Sequence, residues 1–294
     1  MSATAFGPLI AVDGGGTGCR AAVGSLTEGI LAQARGGPAN VSTNFDRAIA
    51  NITATVQEAA QAAGLSPAQL EQATAHLGLA GADLEEAQTR TAQALPYGAT
   101  RVSGDRQTTV AGVLGPRNGY VVALGTGTII ARQHTGTIKT VSGWGFQLSD
   151  TASGAWLGRN LLAQVLDAEE GLEPQTPLSR AVATRLGGVQ GVFEFSNTSA
   201  PADYATFAPE IFAAGTAQDP LALRLLREGA AYVEKGLNAL GFAQGDVLCL
   251  AGGVGPHYAP YLPEAFTANI AASKGNALEG AFALAGQFAT SSHP

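Results

Sequence analysis

The chain has 294 residues, of which 46% are hydrophobic, and this length and composition suit two domains that each bury a core of their own. Its formal net charge of −7, without any cluster of Lys or Arg, argues against nucleic acid or a membrane as partner, so we expect small-molecule partners. No segment approaches the ~20 apolar residues of a membrane span, and the first six residues lack the basic start of a signal peptide, so we expect a cytoplasmic protein.

The first predicted element is a β-hairpin with a glycine-rich turn. An apolar strand leads into the sequence Asp-Gly-Gly-Gly-Thr at residues 13–17, and a second strand follows directly. Gly15 and Gly16 let the backbone approach a phosphate closely, and the Thr17 hydroxyl can donate to a phosphate oxygen. Asp13, at the end of the strand, could bind Mg²⁺ through water. For this hairpin taken alone, an ordinary glycine turn is the alternative.

The same arrangement returns in the second half of the chain. An apolar strand that begins near Val121 ends at a turn formed by Gly125, Thr126 and Gly127, and a second strand follows. In both copies a third strand then ends in glycine. We interpret this pattern as an internal repeat, in which two related lobes each offer a phosphate-binding hairpin to a nucleotide in a shared cleft.

Between the two hairpins the sequence alternates helices and strands. A helix capped by Ser42 or Thr43 is indicated by apolar residues spaced four, three and four apart. A buried strand over 75–80, a helix over 84–94 and a strand over 100–103 follow. Such alternation predicts a mostly parallel sheet covered by helices.

After the second hairpin the sequence is mainly helical. Helices are predicted over 153–170, 177–186 and 223–240, then a buried strand over 246–251 and a closing helix over 278–288. The third helix has an apolar stripe that we expect in the core, formed by Leu223, Leu226, Ala230, Val233, Leu237 and Leu240.

Six short motifs occur in a fixed order along the chain. They are Asp13-Gly-Gly-Gly-Thr17, Gly36-Gly-Pro-Ala-Asn40, Gly104-Asp105, Gly125-Thr-Gly-Thr128, Gly143-Trp-Gly145 followed by Asp150, and Ala251-Gly-Gly-Val254. In this order they resemble the N-acetylglucosamine kinase and BadF/BadG-type ATPase family, within the superfamily of sugar kinases, Hsp70 chaperones and actin. The resemblance covers nearly the whole chain.

This resemblance implies an α/β class protein with a duplicated actin-like, ribonuclease H-like fold of two lobes and an active site in the interlobe cleft. We expect the first lobe over 1–118, completed by a C-terminal helix over 276–291, and the second lobe over 119–275. The family also implies ATP and Mg²⁺ as cofactors and an amino sugar as substrate, and its precedent is compatible with a homodimer.

Asp105 is the candidate catalytic base. It follows a predicted strand and precedes a predicted helix, so it should lie at the edge of a sheet where α/β proteins bind ligands. The matching family residue is a catalytic Asp that also contacts the sugar. The alternative is that Asp105 caps the helix through backbone N–H groups.

The resemblance assigns sugar binding to Asn40, Gly143, Trp144 and Asp150. An Asn offers both donor and acceptor groups, an indole covers a sugar ring, and a carboxylate accepts hydroxyl hydrogen bonds. The alternatives are an Asx-turn at Asn40 and a core anchor at Trp144. Many relatives have Glu after the Asp, where this chain has Thr151, so the identity of the sugar is not carried over directly.

Gly252 and Gly253 are expected near the nucleoside of ATP, a role compatible with a tight strand-to-helix turn. We predict an ATP-dependent kinase acting on the 6-hydroxyl of N-acetylglucosamine, with glucosamine as an alternative substrate. An ATPase that does conformational work on a partner and a non-catalytic sugar sensor stay open. Cys19 and Cys249 are too few for the iron–sulfur cluster of the ATPases that activate radical enzymes.

Overall fold

The computed structural model of the protein describes residues 7–291, so the expectation about the first six residues lies outside the described chain. The chain forms two compact units. Unit 1 contains the chain up to Arg117 and the segment from Ser273 onward, and unit 2 spans Asn118–Ala272. The first border lies one residue, and the second three residues, before the expected positions of 118 and 275.

Unit 1 is built on a five-stranded sheet. Its strands are β1 (Leu9–Gly14), β2 (Cys19–Ser25), β3 (Gly29–Gly36), β4 (Thr74–Leu79) and β5 (Ala99–Gly104), in the spatial order β3-β2-β1-β4-β5. The pairs β1–β4 and β4–β5 are parallel, whereas β1–β2 and β2–β3 are antiparallel. The expectation of a mostly parallel sheet is therefore wrong, because short turns join β1, β2 and β3 and can connect only antiparallel neighbours.

The helices of unit 1 are α1 (Phe45–Ala62), α2 (Pro67–Leu70), α3 (Glu85–Gln93), α4 (Asp105–Leu114) and the last helix of the described chain, α12 (Ala277–Ser291). Helix α1 buries Ile52 and Val56 in the same core as Val12 and Leu77 of the sheet. This packing explains the apolar spacing that predicted the helix.

The predicted N-cap of α1 is wrong. The cap is Asn44, whose side chain accepts a hydrogen bond from the Arg47 N–H at 3.1 Å. The N–H groups of Ser42 and Thr43 instead donate to Oδ1 of Asn40, so these two residues belong to the preceding turn.

Helices α4 and α12 pack together at very short range. A Cβ at Gly112 would lie 2.0 Å from the carbonyl oxygen of Asn276, and a Cβ at Gly280 would lie 2.0 Å from that of Thr108. Helix α12 also contacts β1 and β4. It therefore supports the helix that carries Asp105 and the sheet from which that helix departs.

Unit 2 contains a four-stranded sheet with a related arrangement. Its strands are β6 (Gly119–Leu124), β7 (Thr128–His134), β8 (Thr137–Val141) and β9 (Leu248–Ala251), in the order β8-β7-β6-β9. As in unit 1, a hairpin and a third antiparallel strand lie on one side of the first strand, and a parallel strand lies on the other. The internal repeat read from the two glycine turns therefore extends to the topology of both sheets.

Helices cover the sheet of unit 2. They are α5 (Gly154–Glu169), α6 (Pro177–Leu186), α7 (Gly188–Thr198), α8 (Pro201–Ala205), α9 (Ala208–Thr216), α10 (Pro220–Ala239), a 3₁₀ helix (Gly255–Tyr261) and α11 (Glu264–Thr267). The predicted stripe of α10 is buried except at Leu223, which is half-buried. None of the helices within residues 7–291 is both long and apolar enough to cross a bilayer.

Candidate active site

The glycines of the first turn are of two kinds: packing requires one of them, and space for a side chain surrounds the others. Gly14 is buried, and a Cβ there would lie 2.6 Å from Cδ2 of Leu79 and 2.9 Å from Cβ of Ala39, so packing requires this glycine. A Cβ at Gly16 would meet nothing within 4 Å, and one at Gly15 would lie 3.8 Å from its nearest neighbour. Packing therefore does not require these two glycines. The Gly15 N–H donates to the Gly18 carbonyl at 2.9 Å and the Gly15 carbonyl accepts from the Ala39 N–H at 2.9 Å, so Gly15 leaves room for an approaching group without offering it a donor.

Asp13 is paired with an arginine that the sequence-based site did not include. The antiparallel register places Asp13 opposite Arg20, and Nη2 of Arg20 lies 2.5 Å from Oδ2 of Asp13. The residues that flank a hairpin turn are the signal that could have revealed this pair. The pair places both a carboxylate and a guanidinium beside the open glycines.

The arrangement around Asp13 fits a hydrated ion better than a protein-enclosed one. Within residues 7–291, no group of three or more His, Cys, Asp or Glu side chains is placed to hold a metal ion. A single carboxylate that shares its charge with Arg20 suits Mg²⁺, which keeps several waters and binds mainly to nucleotide phosphates.

Asn40 forms an Asx-turn, which the sequence analysis gave as the alternative to sugar binding. Its Oδ1 accepts hydrogen bonds from the Ser42 N–H at 2.9 Å, the Ser42 hydroxyl at 2.8 Å and the Thr43 N–H at 3.2 Å. Gly81, at φ +82°, approaches the same oxygen so closely that a Cβ would lie 2.7 Å away. Among the described residues the Nδ2 group of Asn40 forms no hydrogen bond, so this donor is available to a ligand.

Asp105 is the first residue of α4 and directly follows β5. Gly104 is the N-cap, so Asp105 does not occupy the capping position, but its carboxyl group accepts a hydrogen bond from the backbone N–H of Arg106, which is part of its alternative role. Burial raises the pKa of Asp105 to about 6, and the carboxylates of Asp83 and Asp13 act in the same direction. The charge and the backbone N–H of Arg106 lower this pKa in part. A carboxyl group with a pKa near neutrality is suited to accept a proton from a substrate hydroxyl.

Asp83 is a second residue that sequence reasoning missed. It lies between β4 and α3, and its Oδ1 accepts a hydrogen bond from Nη2 of Arg106 at 2.9 Å. Because β4 and β5 are parallel neighbours, the residues after their carboxyl ends come close together. That topology is the signal that could have joined Asp83 to Asp105.

The second glycine turn, in unit 2, is closed by local backbone hydrogen bonds. The Gly125 N–H donates to the Gly127 carbonyl at 3.0 Å, and the Gly154 N–H donates to the Gly125 carbonyl at 2.8 Å. Thr126 is exposed, and a Cβ at Gly125 would meet nothing within 4 Å. As at Gly15 and Gly16, packing does not require a glycine at Gly125, and the turn leaves room for a group to approach it.

Asp150 is buried against this turn. It is only 8% exposed, its Oδ1 accepts from the Thr128 N–H at 3.4 Å, and its Oδ2 lies 3.1 Å from where a Cβ of Gly127 would be. Its backbone has φ +60°. A non-glycine residue in this conformation is strained, and such strain often accompanies functional loops.

Trp144 is 67% exposed, which excludes the alternative that it anchors the core. It follows Gly143, which has φ +75°, and Ser142, which has φ +68°. The loop between β8 and α5 therefore turns sharply and presents a large aromatic surface to solvent.

A cavity of about 520 Å³ lies in unit 2 between the second turn and the residues after β9. Gly252, at φ +77°, is required by packing, since a Cβ would lie 2.3 Å from the Leu124 carbonyl oxygen. Gly253 lines the cavity, and a Cβ there would meet nothing within 4 Å. The rings of Phe212 and His257, 5.2 Å apart, form part of the cavity wall. Its size and aromatic lining suit a planar organic ligand.

Known proteins resemble this chain over most of its length. The sequence model of the BadF/BadG/BcrA/BcrD ATPase family matches residues 10–276. The chain is 31% identical over 280 residues to glucosamine kinase GspK of Vibrio cholerae serotype O1, and the match covers 95% of each protein.

Solved structures show the same fold. A protein from Chromobacterium violaceum that is provisionally described as an N-acetylglucosamine kinase has 31% identity and a TM-score of 0.88, with 95% of this chain and 99% of that chain covered. A ROK-family glucokinase from Streptomyces griseus, in complex with glucose and AMPPNP, has 18% identity and a TM-score of 0.57, with 96% and 100% covered. The second likeness concerns the fold alone. The predicted α/β, actin-like fold is thereby confirmed.

Proposed function

Because the chain belongs to the BadF/BadG/BcrA/BcrD ATPase family, we propose that it is an ATP-dependent amino-sugar kinase that phosphorylates the 6-hydroxyl of N-acetylglucosamine. The observation that carries this proposal is Asp105, a carboxyl group with a pKa of about 6 at the carboxyl edge of the sheet that also presents the first glycine turn. A base at this edge fits transfer to an alcohol.

The phosphates of ATP would be bound mainly by backbone groups. Gly16 and Thr17 in unit 1, and Thr126 and Gly127 in unit 2, offer N–H and hydroxyl donors. Gly15 and Gly125, whose N–H groups are used within the turns, leave room for a phosphate to approach the backbone. Mg²⁺ would arrive with ATP, with Asp13 contacting its water shell, and would neutralise phosphate charge. That both turns bind one nucleotide, in an interlobe cleft, stays a prediction.

Asp105 would act as the general base. Above a pH of about 6 its carboxylate is ionised and can accept the hydroxyl proton as the sugar oxygen attacks the γ-phosphorus. Its fixed position at the start of α4 would hold that oxygen in line, and positioning of this kind supplies much of the acceleration in phosphoryl transfer.

The nucleoside would occupy the cavity beside Gly253. The ring pair of Phe212 and His257 offers an apolar wall for adenine, and Gly253 leaves room for close approach. Gly252 contributes through the turn rather than by direct contact, because its missing side chain accommodates the Leu124 carbonyl.

The sugar would be recognised by the loops after the third strands. Nδ2 of Asn40 is an available donor, and Trp144 with Gly143 offers an exposed surface for a sugar ring. Asp150 would contribute either directly or by bracing the second turn, against which it is buried. Glucosamine is the second candidate substrate, favoured by the 31% identity to a glucosamine kinase. The expected homodimer and cytoplasmic location stay predictions.

A substrate panel tests the proposal. Purified protein is incubated with MgATP and N-acetylglucosamine, glucosamine, glucose or no sugar; ADP is measured, and ³¹P NMR locates the phosphate on the sugar. We expect sugar-dependent ADP release with a 6-phosphate product. Asp105→Asn should lower kcat at least about 100-fold, as loss of a general base does.

Asp46→Asn provides a matched control, because Asp46 lies in the first turn of α1 and is exposed. It should leave the rate unchanged. Near wild-type phosphorylation by correctly folded Asp105→Asn would reject the kinase mechanism, and sugar binding without ADP release would favour a sugar sensor.

A further inference from the structure

A histidine and a serine are buried next to each other on the sheet of unit 1. His76, in β4, is 8% exposed, and Ser103, in β5, is 3% exposed. The two strands are parallel neighbours, and Nε2 of His76 lies 3.1 Å from Oγ of Ser103. Burying polar groups costs free energy unless they are hydrogen-bonded, and this contact satisfies both side chains in part.

The serine hydroxyl also reaches the backbone just before the candidate base. Oγ of Ser103 donates to the carbonyl oxygen of Gly104 at 3.1 Å. Gly104 is the N-cap of α4, and its carbonyl belongs to the same planar peptide group as the N–H of Asp105. A hydrogen bond to this carbonyl therefore helps to fix the plane of the peptide from which Asp105 departs.

The direction of these hydrogen bonds follows from the protons available. A serine hydroxyl has one proton, and since Ser103 donates it to Gly104, its Oγ can only accept from His76. Burial lowers the pKa of His76 to about 4, and the charge of Arg101 acts in the same direction, so the ring is neutral at pH 7. A neutral ring carries one proton, and this contact places it on Nε2.

The Gly104–Asp105 peptide has no side chain of its own on the Gly104 side that packing could hold. A Cβ at Gly104 would lie 2.8 Å from Oδ1 of Asp83, so a larger residue does not fit there. The orientation of this peptide therefore depends on contacts to its backbone, and the Ser103 hydroxyl supplies one of them.

We propose that His76 and Ser103 are positioning residues: a chain of hydrogen bonds from the imidazole through the Ser103 hydroxyl to the Gly104 carbonyl sets the orientation of the Asp105 carboxyl group towards the substrate hydroxyl. The proposal rests on the kinase function above for its role in catalysis. The chain of hydrogen bonds is a property of the free protein and can be measured without a substrate.

The first test is NMR of the free protein. Long-range ¹H–¹⁵N spectra of the His76 ring should show the Nε2–H tautomer at pH 7. The ¹³C resonance of the Gly104 carbonyl reports hydrogen bonding to that oxygen. His76→Leu has no donor and should move this resonance, although residue 76 is distant from it in the chain. His76→Gln keeps an N–H donor and should leave the resonance near its wild-type position.

The second test is kinetic and uses the sugar substrate with MgATP. Ser103→Ala and His76→Leu should each lower kcat about tenfold without changing the KM for ATP, because a misplaced base slows transfer but leaves nucleotide binding intact. His76→Gln should recover most of kcat. The double variant of Ser103→Ala and His76→Leu should be no slower than the slower single variant, because both changes break the same chain.

Thr100→Val is the matched control. It also removes a hydroxyl from β5, and Oγ1 of Thr100 is buried without a hydrogen-bond partner among residues 7–291. The change should alter neither the Gly104 carbonyl resonance nor kcat. Urea unfolding of every variant gives the folded fraction, so that kcat is expressed per folded protein.

A wild-type ring protonated on Nδ1 alone would overturn the proposal, since the Ser103 proton would then go to His76. So would wild-type kcat in Ser103→Ala, or a tenfold loss of kcat in folded His76→Gln. Failure of the kinase function has a different signature: a wild-type protein that phosphorylates no sugar rejects the kinase, whereas the tautomer and the Gly104 resonance still test the chain of hydrogen bonds.

Discussion

Asp105 carries a charge in an environment that disfavours it. Burial and two neighbouring carboxylates raise its pKa to about 6 from an ordinary value of 3.8. The folded protein therefore binds a proton at this site more tightly than the unfolded chain does. A residue that destabilises the fold when ionised, yet lies at the edge of the sheet where ligands bind, is better explained by chemistry than by stability.

Ionised Asp105 should favour activity but lower stability, so activity and stability should depend on pH in opposite directions. Activity should fall as the pH drops through about 6, because protonated Asp105 cannot accept a proton. The contribution of this group to stability has the opposite sign: it is unfavourable above pH 6 and becomes less so as the pH falls towards 3.8. Asp105→Asn should therefore raise the free energy of unfolding at pH 7.5 by roughly 1 to 3 kcal/mol, although it should lower kcat at least about 100-fold.

The measurement is urea unfolding of wild type and Asp105→Asn at pH 7.5 and pH 5. The difference between the two proteins should shrink at the lower pH. A destabilised Asn variant would indicate that Asp105 has a structural role.

Helix α12 comes from the last segment of the chain and packs against elements of unit 1 that come from the first segment. It contacts α4, β1 and β4, and the glycines Gly112 and Gly280 allow the two helices to meet backbone to backbone. Side-chain size at these two positions therefore controls where α4, and with it Asp105, lies.

A methyl group in this interface should be costly. Gly280→Ala should lower the free energy of unfolding by about 1 to 3 kcal/mol, because its Cβ would lie 2.0 Å from the Thr108 carbonyl oxygen. The sign of this change in stability is informative, because Gly→Ala in a solvent-exposed helix interior stabilises the helix by about 1 kcal/mol. Gln287→Ala, exposed on the same helix, is the control and should be nearly neutral. Equal stability of Gly280→Ala and wild type in urea unfolding would contradict the close packing.

The whole molecule is acidic, with a formal net charge of −7, yet we propose that it binds a triphosphate. In unit 1, the guanidinium groups of Arg20 and Arg106 are both paired with carboxylates. On this proposal, attraction for phosphate would come from backbone N–H groups at the two turns and from the ion that accompanies ATP. The repeated topology supplies these turns twice.

Nucleotide binding should stabilise the entire protein. At 100 times its Kd, MgATP should add about 2.7 kcal/mol to the free energy of unfolding, seen as a higher Tm. Gly253→Val should fold normally, because a Cβ at this position meets nothing, but should lose most of this shift. Gly252→Val should instead be destabilised without ligand, owing to its positive φ and the Leu124 carbonyl. If MgATP raised the Tm of Gly253→Val as much as that of the wild type, the nucleoside would not bind in this cavity.

Local sequence determined much of this protein. Glycine turns between apolar strands are encoded within a few residues, and the apolar spacing of α1 and α10 is set by the helical repeat, so these elements were predictable. The order of the motifs indicated the family and the α/β fold. The turn-rich segment before the repeated hairpin also predicted a division of the chain near residue 118.

Tertiary structure decided the contacts that site residues make with distant parts of the chain. Sequence could not distinguish Gly14, fixed by Leu79, from the open Gly16, nor show that Asp150 lies under the second turn. It also did not join Asp83 to Arg106, because residues 23 positions apart meet only when β4 and β5 pair in parallel. Such contacts depend on which distant strands pair and on how distant segments pack, and patterns within a few residues do not specify either.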